Sequence, residues 1–257
     1  MLIDMKRFTR VVLIALVAGS IAGASGYFGM RVGRVYEVNQ RCCGIPRWHN
    51  LAISAREVLG LLRFPSQVGQ DRWIAEAVFP GVRDGFFLDV GSGDGIEGSN
   101  TWALEQRGWR GVCVDPFPTN MAGRTCQMVR EAVDSVGGRS VVFAMADEVG
   151  GISEYLGRWK DAADAAPTTT LTTVTLDDVL RRVKAPRYIH FMSVDVEGAE
   201  LEALRGFPFD RHALGALAIE HNYEEPKRSE IESLLKRHGY GRVRMVMQDD
   251  FYLPQAR

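Results

Sequence analysis

Residues 86–95 read FFLDVGSGDG, and the fold turns on how this stretch is interpreted. Phe86, Phe87, Leu88 and Val90 form an apolar run of strand length, broken only by Asp89. A run that is apolar throughout, rather than alternating, is the pattern of a strand covered on both faces, as in a parallel sheet. Gly91, Gly93 and Gly95 follow as a loop with Asp94 inside it, and "GSNTWALEQRG" reads as a helix closed by Gly108. Strand, glycine loop and helix together make the first crossover of an α/β unit.

The same alternation extends in both directions. Upstream, "DRWIAEAVF" is a helix with Trp73, Ile74, Ala77 and Val78 on one side. Downstream, "RGVCVDP" is a second strand stopped by Pro116, and "CQMVREAV" and "RSVVFAMA" are further strand candidates. "TLDDVLRRV" is a short helix with Thr175 placed to cap it. "RYIHFMSVDVEG" and "LGALAIEHN" are strands, each followed by a helix, "AELEALRGF" and "RSEIESLLKRHGYG", and "RVRMVMQDDFYL" closes as a hairpin. The fold class is therefore α/β, a doubly wound, mostly parallel sheet with helices on both faces. Ligands of such sheets bind beyond the carboxyl ends of the strands.

The loop restricts what that ligand is. A dinucleotide loop reads GxGxxG, but here the sixth position is Ile96. No Lys-Ser/Thr follows, so the phosphate-loop pattern fails as well. Asp89 before the loop and Asp94 within it would repel phosphates at close range. An acidic glycine loop suits an ammonium or sulfonium group, and S-adenosylmethionine carries both. Asp115 closes the second strand 24 residues after Gly91, where a carboxylate can accept hydrogen bonds from a ribose diol. Asp195 and Glu197 end a later strand; they either face the cleft or cap the next helix. NAD-dependent redox chemistry is the rival for this loop, disfavoured by Asp94 and by the glycine spacing.

Composition sets the outer limits. The chain has 257 residues, of which 46 % are hydrophobic and 25 % charged, and its net charge of -1 offers no basic field for nucleic acid. The five histidines show no ligand spacing. Cys42, Cys43, Cys113 and Cys126 form no CxxC pair, so no metal site is expected. Neither is a disulfide framework, and Cys113 reads as a small core residue.

The N-terminus stands apart. Residues 1–10 are a basic tail with Lys6, Arg7 and Arg10, and Val11 to Met30 is free of charge. Roughly 20 apolar residues cross a bilayer as a helix, so residues 11–30 are expected to form a single-pass membrane anchor. A cleaved signal peptide is the alternative, with Ala22-Gly23-Ala24 as its small-residue site. Gly19 and Gly23 offer a face for a partner helix in the membrane. Residues 31–65 read as a juxtamembrane connector with one short helix, and 66–257 as the folded domain.

Seven stretches carry a resemblance: "SQVGQDRWI", "GFFLDVGSGDGIEGSNT", "GWRGVCVDPFP", "TLDDVL", "FMSVDVEGAELEALRGF", "AIEHN" and "DDFYL". Together they resemble the FkbM family of S-adenosylmethionine-dependent methyltransferases, from about Ser66 to Leu253. Ser92-Gly93 and Asp115-Pro116 depart from the family's usual Ala-Asn and Glu-Pro while keeping the chemistry. The resemblance implies a seven-stranded sheet with its last strand antiparallel, and methyl transfer, usually to oxygen. It implies that Asp89, Gly91, Gly93, Asp94 and Gly95 hold the methionine part and Asp115 the ribose. It further implies that Glu131 and Ala132 meet the adenine edge, that Gln70 and Asp71 help close the pocket, and that Asp195 lies beside the transferred methyl. The acceptor it suggests is a hydroxyl on a glycan, a lipid-linked sugar or a metabolite.

An alcohol acceptor must lose a proton, and the strand ends supply Asp195, Glu197, Glu220 and His221 as candidate bases. His221 has the alternative of a structural role, and Ser99 and Asn100 read as the start of the first helix. A membrane-held assembly subunit that keeps the fold without turnover is the other functional class open to this sequence. The cofactor requirement places the catalytic domain on the cytosolic side.

Overall fold

A computed structural model of the chain describes residues 24–45, 47–146 and 149–255. Its centre is a seven-stranded sheet in the order β10-β11-β9-β8-β1-β2-β3. These strands are β1 (Phe86–Val90), β2 (Arg110–Val114), β3 (Gln127–Val129), β8 (Tyr188–Val194), β9 (Ala213–Glu220), β10 (Tyr240–Val246) and β11 (Asp249–Pro254). All neighbours are parallel except β11, which runs antiparallel to both β9 and β10. The chain reverses its winding direction at β1, which sits between β2 and β8, and a cleft opens there beyond the strand ends.

Alternation along each buried strand feeds two cores. Leu88 and Val90 share one face with Val112, Val114, Met192 and Val194. That face is covered by α6 (Leu176–Arg182), α7 (Glu200–Arg205) and α8 (Lys227–Arg237). Phe87, Cys113, Phe191 and Phe251 point the other way, against Trp73, Leu104 and Trp109. Trp73 belongs to α3 (Gln70–Trp73), which continues as a π-helical turn over Ile74–Val78. Leu104 belongs to α4 (Trp102–Glu105). The expected cap of α6 is present: Thr175 Oγ1 accepts from the Asp178 N–H, and the Asp178 side chain accepts from Thr175 in return.

Three expectations are revised. The sheet is not alone: β4 (Ala132–Val133), β5 (Ser140–Ala144), β6 (Gly151–Ile152) and β7 (Thr168–Val174) make a second sheet in the order β4-β7-β5-β6, with α5 (Lys160–Ala165) leading into β7. Residues 31–65 are more than a connector with one short helix. They lie in α1 (Ala24–Cys43), α2 (Arg47–Val58) and the loop beyond, and Ile45 and Ile53 are buried in the core with Trp73 and Phe251. Cys113 is a core residue but not a free one, being bonded to Cys126. The proposed span 11–30 lies outside the described residues except for its last part, which starts α1. Among the described residues no helix is long and apolar enough to cross a membrane.

Candidate active site

The glycine loop leaves β1 and passes against the end of β8. Gly91 has φ +84, and a Cβ there would meet the Asp195 backbone oxygen at 1.6 Å. The close approach of the backbone at the end of β8 by itself demands a glycine here. Gly93, at φ +44, has nothing within 4 Å of its would-be Cβ and faces open space. That space is a cavity of about 790 Å³, within the range of small-molecule sites.

The acids take distinct roles around it. Asp94 Oδ1 accepts from the N–H groups of Ile96 (2.8 Å) and Glu97 (2.9 Å), so this side chain folds the loop onto itself. Asp115 Oδ2 accepts from Gly93 N (2.9 Å) and Oδ1 from Phe117 N (2.7 Å). Each of its oxygens retains a lone pair for a further donor. Asp89 is buried and accepts from Thr101 Oγ1 at 2.5 Å; burial, offset in part by Arg124, pushes its carboxyl up to about 6. Glu131 and Ala132 line the far side, with Glu131 paired to Arg182.

A second cavity of about 350 Å³ adjoins the first, and Gln67 and Glu197 line both. At the junction the carboxylates of Asp195, Glu197 and Glu220 lie with oxygens within 4.8 Å of one another. Burial raises all three. Glu197 reaches about 8, helped by the Asp195 charge; Glu220 is driven up by burial and by Asp195, and a hydrogen bond from Glu220 offsets part of the rise at Asp195. Burial and mutual repulsion thus favour one proton held between Glu220 and Asp195. Asn222 Nδ2 donates to Glu220 (2.6 Å) and to Glu197 (3.3 Å), tying the group together. The capping alternative for Asp195 and Glu197 is answered by another residue: Glu200 Oε1 accepts from Val196 N (3.2 Å) and Gly198 N (2.8 Å) and braces the turn before α7.

Four predicted residues do not line either cavity. Gly95 lies against the Asn120 backbone oxygen, which a Cβ there would meet at 2.8 Å. Gln70 is buried and donates to Asp249 Oδ2 at 2.7 Å. Asp71 is buried and occupied by Ser66 and by the Arg72 N–H (2.6 Å). Both brace the wall from behind instead of closing the pocket. His221 is buried too, and its Nδ1 accepts from Tyr223 N at 2.9 Å. The proton then sits on Nε2, 3.7 Å from Asp250, and burial keeps the ring neutral. This placement favours the structural alternative for His221.

Other residues enter the site unannounced. Asn100 donates to Ser193 Oγ (2.8 Å) while its Oδ1 stays buried without a partner, and Ser92 Oγ is likewise unpartnered. Both line the larger cavity. Buried polar atoms are rarely left unpaired, so these two fit a polar ligand in that space. Ser99 lines the cavity as well, and its Oγ accepts from Trp102 N at 3.1 Å in the turn just ahead of α4. Asp249, bonded to Gln70, is lifted to about 8 by burial and by the Asp195 charge. Gln67 was legible only as part of a family-like stretch, and nothing local marked Ser92.

A sheet of this order, with its cavity over a glycine loop at the switch of winding, defines a doubly wound, Rossmann-like α/β domain. Residues 89–241, more than half of the chain, match the family described as the methyltransferase FkbM domain, and the chain belongs to that family. The protein is accordingly a methyltransferase. Comparison with curated proteins and with solved structures gave no significant match.

Proposed function

We propose that the protein is an S-adenosylmethionine-dependent O-methyltransferase, with its cofactor in the larger cavity and its acceptor hydroxyl in the smaller one. The observation that carries this reading is the junction: two cavities meeting at Gln67 and Glu197, beside Asp195 and Glu220. The cofactor family members generally use supplies an electrophilic methyl on a cationic sulfur. The unpartnered Ser92 and Asn100 oxygens, the open face of Gly93 and the free lone pairs of Asp115 fit such a ligand. Asp195, which lines the larger cavity at the junction and accepts a bond from Glu220, is the group to take the acceptor proton.

The smaller cavity speaks for the acceptor. Trp159 and Tyr223 offer aromatic surface, while Gln67, Asn222 and Gln248 offer amides. Glu197, raised to about 8 chiefly by burial, adds a donor without charge. That lining suits a neutral ring with several hydroxyls, as in a glycan, a lipid-linked sugar or a glycosylated metabolite. Backbone strain gathers here as well: Glu197, Asn222, Tyr223 and Met247 all have φ between +46 and +60. Strained non-glycine residues concentrate at functional sites.

Calorimetric titration with S-adenosylmethionine and with NAD tests the cofactor, and transfer of a labelled methyl group to neutral sugars tests the reaction. Binding of NAD alone would overturn the reading. We also propose, from residues 11–30 of the sequence, a single-pass anchor with the domain facing the cytosol and a helix partner at Gly19/Gly23. The full chain should then resist alkaline carbonate extraction from membranes. A mature N-terminus at Ser25 would mark a cleaved signal instead.

A further inference from the structure

Cys113, in β2, is bonded to Cys126, the residue before β3, with their Cα atoms 5.8 Å apart. The bridge closes off residues 113–126, and this stretch is one wall of the larger cavity. The same stretch holds the glycine loop from several sides. Asp115 accepts from Gly93 N (2.9 Å), Thr119 N donates to Gly93 O (2.9 Å), and Gly95 N donates to Thr119 O (2.9 Å). Asn120 bonds Asp94, and Arg124 Nη1 donates to Gly95 O at 2.7 Å. Every one of these grips lies between the two bridged cysteines.

Arg124 links the bridge itself to the loop. Its Nη2 lies 3.3 Å from Cys113 Sγ and 2.8 Å from Thr101 Oγ1, and Thr101 in turn donates to Asp89 at 2.5 Å. Its Nε pairs with Glu105 at 2.8 Å, and the guanidinium is almost wholly buried. We propose that Cys113–Cys126 is a reversible thiol–disulfide site, through which a dithiol reductant loosens the loop that holds the cofactor. This inference rests on the larger cavity being the cofactor site.

The chemistry balances with the dithiol as sole co-reactant. Cys113 is fully buried and Cys126 partly exposed, so the dithiol's thiolate bonds to Cys126 Sγ. The bridge breaks and its electron pair stays on Cys113 Sγ, where the Arg124 guanidinium stabilises the departing thiolate. The second thiol of the reagent then displaces Cys126 from the mixed disulfide. Two electrons have passed to the bridge, the dithiol has closed to its own disulfide, and its protons go to the cysteines, or to solvent where Arg124 keeps Cys113 ionised. A charged sulfur at Cys113 then competes for the guanidinium that had held Thr101 and Gly95. The wall also loses its covalent tie at Cys126, leaving the bonds from Thr125 N (3.2 Å) and Cys126 N (2.7 Å) to Glu105 and the pairing of β3 with β2 to hold that end.

The test uses the full chain, oxidised or treated with dithiothreitol, with alkylation mapping to confirm the state of Cys113 and Cys126. S-adenosylhomocysteine is titrated calorimetrically, and amide hydrogen exchange is followed over residues 91–95. Reduction should weaken binding about tenfold, as expected if the competent loop population falls to about a tenth, and should speed exchange in the loop. Cys126→Ser should behave as the reduced protein and ignore dithiothreitol, which separates this bridge from effects of the reductant elsewhere in the chain. Equal affinity and equal exchange in both states would overturn the proposal, as would Cys113 and Cys126 both alkylating without reductant. If neither form binds S-adenosylhomocysteine, the cofactor reading fails, and the exchange rate still decides whether the bridge governs the loop.

Discussion

Asp115 fixes the Gly93 N–H and lines the larger cavity, and in the proposed function it would also hold the ribose. Asp115→Ala should therefore weaken S-adenosylmethionine binding by about ten- to a hundredfold, the worth of a charge-assisted bond of about 1.5–3 kcal/mol. Unchanged affinity by calorimetry would remove it from the pocket. Asp195→Asn should lower methyl transfer about 10²–10⁴-fold while cofactor affinity moves far less. His221→Ala should instead lower the melting temperature and leave turnover within a few-fold; a loss of turnover matching that of Asp195→Asn would restore it as a base. The contrast shows where the sequence was readable. Acids at the ends of parallel strands face the cleft, so Asp89, Asp115, Asp195 and Glu220 could be picked out one by one. The two readings of His221 could not be separated in the sequence: Glu220 ends β9 at the cavity, and the next side chain turns away into the packing around Asp250. Asn100 and Gln67 carried no local mark, since their place in the wall comes from elements distant in sequence.

At the scale of elements, strands with continuous apolar runs announced themselves, and those without did not. Residues Thr168–Val174, TTTLTTV, have no apolar run, yet β-branched threonines favour strands and build β7. The second sheet they join supplies Phe143 and Ile152 to the larger cavity, and Phe143 meets Phe117 with ring centroids 5.4 Å apart. The capping box of α6 was legible because its signal is local: a threonine followed three residues on by an acid. The opposite holds for α1 and α2. Their sequence is too mixed to distinguish a linker from a packed hairpin, and only the tertiary contacts of Ile45 and Ile53 decide it. If that packing belongs to the domain, Ile53→Ala should cost about 2–5 kcal/mol in denaturant unfolding, as for other large aliphatic core side chains. A change within about 0.5 kcal/mol, usual at surface positions, would return residues 31–65 to the role of connector.

Across the whole molecule, the winding of the sheet brings acids from distant strands to one edge, and their charge problem is collective. Glu197 and Asp249 are both lifted to about 8, chiefly by burial and then by Asp195, and Glu220 is raised further. In the unfolded chain these groups ionise in the ordinary carboxylate range. Between that range and about pH 8 the folded protein thus binds more protons than the unfolded one, so stability falls as pH rises. A tenfold difference in proton affinity between the folded and unfolded chain is worth about 1.4 kcal/mol, and with solvent reaching the cluster through the cavities the total is on the order of a few kcal/mol. The melting temperature of the free protein should drop from pH 6 to pH 9, and Glu220→Gln should flatten that drop. A positive sulfur beside the same carboxylates would favour their ionised forms, so cofactor binding should release protons. S-adenosylhomocysteine, whose sulfur is neutral, should release fewer. Calorimetry near pH 7 in phosphate and in Tris, buffers of different ionisation enthalpy, gives the proton count for each ligand. The same count for both would mean that the sulfur sits away from Asp195, and would take the transferred methyl out of the junction between the cavities.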